Sequence, residues 1–238
     1  MGNSGRIAMG VGIIIAALFV LFGIIQITTG GVSFKTGFGG KNIAASGNYV
    51  TKSFNYEDFD KVELSGTWDA EVTSDLDYDV TVRIPENFEN KIRVEKEGST
   101  LVLGITPGFS FRSGKMEAAL TMPEFSKAVM SGGTKFTFNG FQGDRLILKS
   151  SGGTKLEGKK CVYESLQLDA SGAVSVDLLK SEFTSADVRI SGAGSVKINM
   201  AGGKITGNIS GAGSVKYTGE VSNVDIDESG LASVKRLE

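Results

Sequence analysis

The sequence predicts an all-β protein: a β-solenoid with rungs of about 20 residues, preceded by one N-terminal transmembrane helix. Three observations lead to this prediction. Residues 7–27 form an uncharged apolar run, and a Ser-Gly pair recurs at nearly even spacing between Ser131 and Gly230. Apolar and polar residues also alternate on both sides of each pair, as they do in half-buried strands.

The composition of the 238-residue chain excludes several classes of function. Its 25 Lys and Arg against 27 Asp and Glu argue against a generally basic nucleic-acid-binding protein. The absence of histidine excludes serine-protease-type triads and histidine zinc sites. The single cysteine, Cys161, excludes an intrachain disulfide and a four-cysteine metal site. No cofactor is implied, and no nucleic-acid partner is expected.

Residues 7–27 predict a membrane anchor. Gln26 is the only polar side chain in this segment. As a helix the segment would span about 31 Å, which matches a hydrocarbon core of about 30 Å. A cleaved signal peptide and a buried helix are the alternatives, but the apolar stretch of a signal peptide runs only about 7–15 residues. Arg6 in the short tail 1–6 favours a cytoplasmic N-terminus, so the segment is interpreted as a signal anchor.

The remaining boundaries follow from glycine content and periodicity. Residues 28–48 contain six glycines and little apolar periodicity, which predicts a flexible spacer. The predicted β-solenoid occupies residues 49–238, and function is expected there.

The Ser-Gly pairs define the repeat of this domain. Their period of about 20 residues is too short for a propeller blade or a two-helix repeat, which need about 33–45. Stacked corners need glycine because φ is positive there and the backbones approach closely. An earlier copy, Ser65-Gly66, lies in the less regular region before them. The structural turn repeats are Ser131-Gly132, Ser151-Gly152, Ser171-Gly172, Ser191-Gly192, Ser210-Gly211 and Ser229-Gly230.

In-register stacking makes a further prediction about charge. If the repeats stack, the residues two before each serine become neighbours and form a ladder in which charges alternate. The ladder consists of Lys149, Asp169, Arg189, Asn208 and Asp227.

The region before the regular repeats predicts less evenly spaced strands. Residues 59–72 have the same strand–turn–strand plan around Ser65. Further strands are predicted at 81–84, 91–95, 100–105 and 116–122. We expect them to be longer, irregular rungs of the same domain.

These features resemble the bacterial envelope family described as putative auto-transporter adhesin, head GIN domain. The resemblance is carried by residues 59–66, by Ile84-Pro85-Glu86-Asn87 and by the Ser-Gly turns, and it covers roughly residues 53–236. It implies an exported, β-helical module with an adhesin-like role. The family's usual turn is Ser-Gly-Ser-Gly-Asp, whereas this chain has Ser-Gly-Ala-Gly-Ser or Ser-Gly-Gly-Thr-Lys. The missing aspartates weaken any expectation that the turns bind calcium.

The turn serines and glycines are interpreted as corner geometry rather than as a ligand site. The leading candidate site is a basic stripe, interpreted either as a solubility feature or as a contact for anionic envelope polymers or lipid headgroups. The stripe consists of Lys135, Lys155, Lys197, Lys216 and Lys235.

Other candidates are weaker. Asp75, Asp77 and Asp79 alternate and would form a cation site or a solvated acidic face if the segment were a strand. Two carboxylate pairs, Glu157 with Asp177 and Asp225 with Asp227, could serve a polysaccharide hydrolase. The aromatic loop 108–112 is a possible contact patch, and Cys161 is interpreted as structural.

The sequence therefore predicts a non-enzymatic, single-pass membrane protein of the bacterial cell envelope. Its C-terminal domain is expected in the periplasm or on the cell surface and acts in adhesion or envelope interaction. The expected partners are the membrane and an envelope polysaccharide or protein. The first alternative is a membrane-tethered scaffold that self-assembles through open solenoid ends. The second is a polysaccharide-active β-helix enzyme.

Overall fold

The computed structural model describes residues 41–238, and this part of the chain confirms the predicted all-β class. Within it the only helical segment is a 3-10 turn at Glu86–Phe88. The predicted transmembrane helix, residues 7–27, lies outside the described residues. No helix within residues 41–238 is long and apolar enough to span a membrane. The strands are β1 Lys41–Ala44, β2 Tyr49–Phe54, β3 Lys61–Ser74, β4 Asp79–Pro85, β5 Ile92–Glu97, β6 Thr100–Ile105, β7 Phe109–Ser113, β8 Met116–Met122, β9 Lys127–Asn139, β10 Gln142–Ala201, β11 Lys204–Glu220, β12 Asn223–Gly230 and β13 Ser233–Arg236.

Strands β9 to β13 pair in parallel, and equivalent residues of successive repeats lie opposite each other. Ser131 of β9 pairs with Ser151 of β10, the turn serine of the next repeat. Ser191 of β10 pairs in the same way with Ser210 of β11, which pairs with Ser229 of β12. Because side chains alternate between the two faces of a strand, this register arranges the same positions of each repeat in columns.

Strand β10 runs over 60 residues because it contains three repeats. Fully extended it would reach about 200 Å at about 3.3 Å per residue, so it must bend. The bends include Gly152, Gly172 and Gly192, which have φ values of 116°, 99° and 122°. The carbonyl oxygen of Gly152 lies only 2.5 Å from the position that a Cβ on Gly172 would occupy. Consecutive turns within β10 therefore lie directly on one another.

The stack begins with strands that are distant in sequence. Strand β3 pairs in parallel with β9, and Ser65 lies opposite Ser131. On its other side β3 pairs in parallel with β6 and then with β8. After β3 the chain thus builds the neighbouring layer from β6 and β8, and it returns at β9 to the opposite side of β3.

Two of the predicted irregular strands do not stack as rungs. Strand β4 pairs antiparallel with both β2 and β8, and β5 pairs antiparallel with β6. Residues 81–84 and 91–95 thus contribute to strands, as predicted, but these strands pair antiparallel and not in the parallel register of the regular repeats. An alternating pattern is the same in parallel and antiparallel strands, so it does not specify direction.

The residues from 41 to 48 belong to the predicted spacer, and the structure shows their contacts. Strand β1 pairs with β7. The side-chain amide of Asn87 donates to the carbonyl oxygen of Ala44 at 2.8 Å, and the backbone N–H of Glu86 donates to that of Asn48 at 3.0 Å.

The hydrophobic core is formed by the inward columns of the stack. The residue five positions after the turn serine is buried in successive repeats. At this position the exposed fraction is at most 2% for Phe136, Leu156, Val176, Val196 and Val215. Burying such a side chain stabilises the folded state by about 1.5–3 kcal/mol, so these columns form the packed interior. Only the outward columns remain for interaction with other molecules.

Candidate binding surface

The turn serines and glycines fix the corners of the stack. The turn glycines have positive φ, from 91° at Gly230 to 122° at Gly192. A Cβ at Gly132, Gly152, Gly172, Gly192, Gly211 or Gly230 would lie 2.4–2.6 Å from a carbonyl oxygen of the preceding turn. The hydroxyls of Ser131, Ser171 and Ser229 donate to the carbonyl oxygens of Leu64, Ser150 and Ile209, each at 3.4 Å. These contacts all lie within the protein and hold successive corners of the stack together.

The charge ladder before the turns has close ion pairs. Lys149 lies 3.1 Å from Asp169, and Arg189 lies 3.8 Å from the other oxygen of that carboxylate. Asn208 pairs with both Arg189 and Asp227 in the register. The opposite charges of Lys149, Asp169 and Arg189 thus pair across adjacent strands.

The five lysines of the basic stripe lie in two columns of the surface that follows the turns. Lys135 and Lys155 are paired in the register and occupy the column four positions after the turn serine. Lys197, Lys216 and Lys235 are paired with one another two positions further along. In the repeat between the two groups, these columns carry Ser175 and Asp177. The stripe is therefore divided, and its two halves have different surroundings.

Lys135 belongs to a network of alternating charges. Its ammonium lies 3.1 Å from the Asp69 carboxylate, which also contacts Lys115 at 3.5 Å. Lys115 in turn contacts Glu117 at 2.9 Å, and Arg83 contacts Glu117 at the same distance. Hydrogen bonds from Lys115 and Arg83 lower the pKa of Glu117. Lys135 is thus neutralised by a residue of β3 that sequence periodicity alone did not place beside it.

The C-terminal lysines form a column of like charge. Lys197 lies 3.9 Å from Asp177, a distant ion pair. No ion pair joins Lys216 or Lys235 to an acidic residue within the described part of the chain. We call Lys197, Lys216 and Lys235 the lysine column. Like charges directly opposite each other on neighbouring strands are destabilising, so this column is not explained by the stability of the sheet.

Two polar columns flank the lysine column, and the sequence prediction did not single them out. Ser195, Ser214 and Ser233 lie on one side, two positions before each lysine. Asn199 and Thr218 lie on the other side, where the Thr218 hydroxyl donates to Asn199 Oδ1 at 3.1 Å. The signal was present in the sequence, since Ser-Val-Lys occurs in each of the last three repeats.

A shallow groove crosses the preceding repeats. It has a volume of about 520 Å³, and its lining includes Gly133, Gly153, Ala173 and Ala193 beside Lys135 and Lys155. Small side chains make this surface flat. The same column of small residues continues with Ala212, next to the serine column. The surface on that side of the lysine column is therefore flat as well.

The predicted acidic candidates are separated or paired. Asp75 and Asp77 lie in the turn between β3 and β4, where Asp75 Oδ1 accepts from the Asp77 N–H at 3.4 Å. The prediction of one strand carrying three carboxylates is wrong, because the strand begins only at Asp79. Residues 41–238 contain no group of three or more acidic or cysteine side chains that could hold a metal ion.

Of the two carboxylate pairs considered for hydrolysis, Glu157 and Asp177 have partners within the protein. Glu157 lies 3.4 Å from Lys159, and Asp177 accepts from the backbone N–H of Leu179 at 3.2 Å. Asp225 and Asp227 lie two positions apart on β12. The prediction of an aromatic loop at residues 108–112 is wrong, because strand β7 begins at Phe109. Lys91 Nζ lies 5.9 Å from the centre of the Phe109 ring.

Cys161 is buried at a corner of the stack. Its thiol donates to the carbonyl oxygen of Lys159 at 3.1 Å, and its sulfur accepts from the Phe141 N–H at 3.4 Å. Burial raises the pKa of the thiol. A buried, protonated thiol is a poor nucleophile, so these contacts fit a structural role.

Comparison with known proteins gives the family. The family model described as putative auto-transporter adhesin, head GIN domain, matches residues 58–221, more than half of the chain. The chain belongs to this family. The match confirms the resemblance that the Ser-Gly turns and residues 59–66 had indicated. No curated protein matches the chain.

Of three similar solved structures of low sequence identity, one shows the same fold. A putative adhesin from Bacteroides fragilis is 18% identical, with a TM-score of 0.67 over 82% of this chain and 100% of its own. A putative lipid binding protein from Parabacteroides distasonis is 17% identical with a TM-score of 0.48, covering 83% of this chain and 100% of its own. A putative adhesin from Parabacteroides merdae is 16% identical with a TM-score of 0.48, covering 83% and 99%.

Proposed function

We propose that this protein is a non-enzymatic adhesion module of the bacterial cell envelope. Residues 7–27 anchor it in a membrane, and the domain of residues 49–238 acts outside the cytoplasm. Its parallel repeats form a β-solenoid in which each repeat is one rung. Membership of the adhesin-like family supports this proposal.

The observation that carries the proposal is the in-register stacking of outward side chains. Each step along the stack repeats a chemical group after about 4.8 Å, the spacing of neighbouring strands. A surface of regular columns suits a partner that also repeats, such as a cell-envelope polymer. The charge pairs of Asp177 and Glu157 with lysines favour such a binding role over carboxylate-based hydrolysis.

Protease shaving of intact cells tests the proposed location. A tag placed after Glu238 should be lost on protease treatment while a cytoplasmic marker stays intact. In a double-membrane cell the outer membrane is permeabilised first. Protection of the tag after that step would place the domain in the cytoplasm and contradict the proposal. Cells that lack the domain should then attach more weakly to a surface coated with envelope material.

A structural scaffold is the second candidate, and one observation favours it. Within the described residues, β12 pairs only with β11, and β13 also pairs only with β11. Unpaired strand edges can pair with another chain unless charges discourage it. Sedimentation velocity over a range of concentrations separates the two candidates, because a scaffold forms larger species as its concentration rises.

A further inference from the structure

We infer that the lysine column, with its flanking serine and Asn/Thr columns, is a binding site for a linear polyanionic polysaccharide. This inference rests on the proposed envelope function and names its partner chemistry. The site comprises Lys197, Lys216 and Lys235 with Ser195, Ser214, Ser233, Asn199 and Thr218.

The first step of the argument is the contrast between charged columns on the same domain. In the ladder before the turns, Asp169 separates Lys149 from Arg189. In the network at the start of the stack, Asp69 lies between Lys115 and Lys135. Lys155 also stacks on Lys135, but Lys135 is paired with Asp69 on its other side. The lysine column differs because it stacks three cations in succession, and no acidic residue lies between them. The other two charged surfaces place a carboxylate between cations, whereas the run of three lysines leaves its charge for an external anion.

Protection of the sheet edge does not account for the column. Charged side chains on an edge strand discourage unwanted pairing, and Lys235 lies on such a strand. Lys197 and Lys216 do not, because β11 is paired on both sides and Lys197 lies one strand further in. The charge of these two lysines needs another explanation.

The neighbouring groups match an anionic sugar polymer. Serine hydroxyls donate hydrogen bonds, and so do lysine ammonium groups and asparagine side-chain amides. Asn199 Oδ1 already accepts from Thr218, which directs the amide NH₂ group to other acceptors. Carboxylate, sulfate and hydroxyl oxygens are acceptors of this kind.

The spacing of the site selects a linear partner. The three lysines follow the stacking direction on neighbouring strands, whose backbones are about 4.8 Å apart. Charges on a polysaccharide with one acidic group per sugar recur at similar short intervals. The Gly/Ala column beside the serines adds no bulk, so an extended chain can lie flat along the stack.

The test compares two triple variants of the purified full-length chain. The site variant is K197Q/K216Q/K235Q. The control variant, K160Q/K180Q/K204Q, removes three exposed lysines outside the site and gives the same net charge. The probes are polygalacturonate and dextran sulfate, with uncharged dextran as a reference. Nanodiscs containing phosphatidylglycerol or only phosphatidylcholine test a lipid surface.

The wild type and the control variant should bind polygalacturonate or dextran sulfate, with affinity falling as salt rises. The site variant should bind at least about tenfold more weakly, as expected from losing three charge contacts. Polymer should also raise the melting temperature of the wild type and not that of the site variant. Without polymer the site variant should be at least as stable as the wild type, which shows that it folds.

Three outcomes would overturn the inference: no binding of the wild type to either polymer, equal loss of binding in both variants, or binding to phosphatidylglycerol nanodiscs in place of the polymers. Each outcome leaves the shaving experiment unaffected. A domain that is exposed to protease but does not bind polyanions would retain the proposed location and lose only this site. A protected domain would contradict the proposed function even if the polymer binds in solution.

Discussion

At the scale of single residues, glycine has two different roles in the repeats. Gly172 has a φ of 99°, and a Cβ there would lie 2.5 Å from the carbonyl oxygen of Gly152. Gly153 follows a turn glycine, but a Cβ there would meet no atom within 4 Å. The first glycine is required by the turn and by the neighbouring backbone. The second leaves an open place on the outer surface.

This difference predicts opposite results for two alanine substitutions. Gly172→Ala should lower the free energy of unfolding by about 1–3 kcal/mol or more, since it adds backbone strain to a steric clash. Gly153→Ala should leave stability unchanged or raise it by about 0.4–1 kcal/mol, because alanine restricts the unfolded chain. Urea unfolding of the two variants measures both values. Equal destabilisation would contradict the distinction.

The repeat positions identified the five lysines as a stripe but did not show which residues they contact. All five were visible at repeated positions, yet the neutralisation of Lys135 depends on Asp69, which comes much earlier in the chain. That contact exists because β9 returns to β3 and not to β8. A repeat period fixes neighbours only where consecutive repeats are neighbours in the stack. Lys216 and Lys235, which lie in consecutive repeats, could therefore be paired from sequence.

At the scale of elements, two inward positions of each repeat contact each other and carry side chains of complementary volume. The residue before the turn serine packs against the residue three after it. Ile190 faces Gly194, and a Cβ on Gly194 would lie 2.8 Å from Ile190 Cγ2. In the preceding repeat the pair is Ala170 with Val174, both buried. A large side chain at one position is thus matched by a small one at the other.

The same pair of positions explains a buried hydroxyl. Ser150 donates to Thr154 Oγ1 at 2.6 Å. Thr134 is equivalent to Thr154 in the register, but Met130 stands in the place of Ser150. Within the described part of the chain, Thr134 Oγ1 is therefore buried without a hydrogen-bond partner.

A double-mutant cycle tests this volume matching. Gly194→Val should destabilise the protein by about 1–3 kcal/mol through overpacking, and Ile190→Ala by about 2–5 kcal/mol through a cavity. The double variant recreates the Ala–Val pair of residues 170 and 174. Its loss should be smaller than the sum, with a coupling of about 0.5–3 kcal/mol in thermal or urea unfolding. Additive losses would show that the two positions do not share one space.

Element boundaries were predictable where the pattern was local. The predicted strands 100–105 and 116–122 coincide with β6 and β8. Strand direction was not predictable for β4 and β5, because alternation reports which face is buried and not which neighbour is paired. The turn at Asp75 and Asp77 was missed for a related reason. Alternating aspartates resemble a strand, although aspartate also favours turns through its short side chain.

At the scale of the whole domain, the two ends of the sheet differ. At one end, β8 of the layer formed by β6 and β8 pairs antiparallel with β4, and β4 pairs antiparallel with β2. The other end finishes with β12 and β13, and nearly every residue of β12 is exposed. Because each repeat contacts only its neighbours, local stability is expected to follow position in the stack. The lysine column thus extends from the interior of the stack to its least covered end.

Hydrogen exchange followed by mass spectrometry should reveal this gradient. Amides of β12 and β13 are expected to exchange first, because each strand has a neighbour on one side only within the described domain. Amides of β9 and the middle of β10 should exchange last, because strands and buried columns lie on both sides of them. A variant ending at Ser222 should lose only the fast-exchanging amides and keep the protection of β9. Uniform exchange across the domain would contradict this view, since it would mean that the stack opens as one cooperative unit. If the gradient is found, binding of a polyanion across Lys197, Lys216 and Lys235 should slow exchange in β11 and β13, because the ligand would join the weak end to the stable interior.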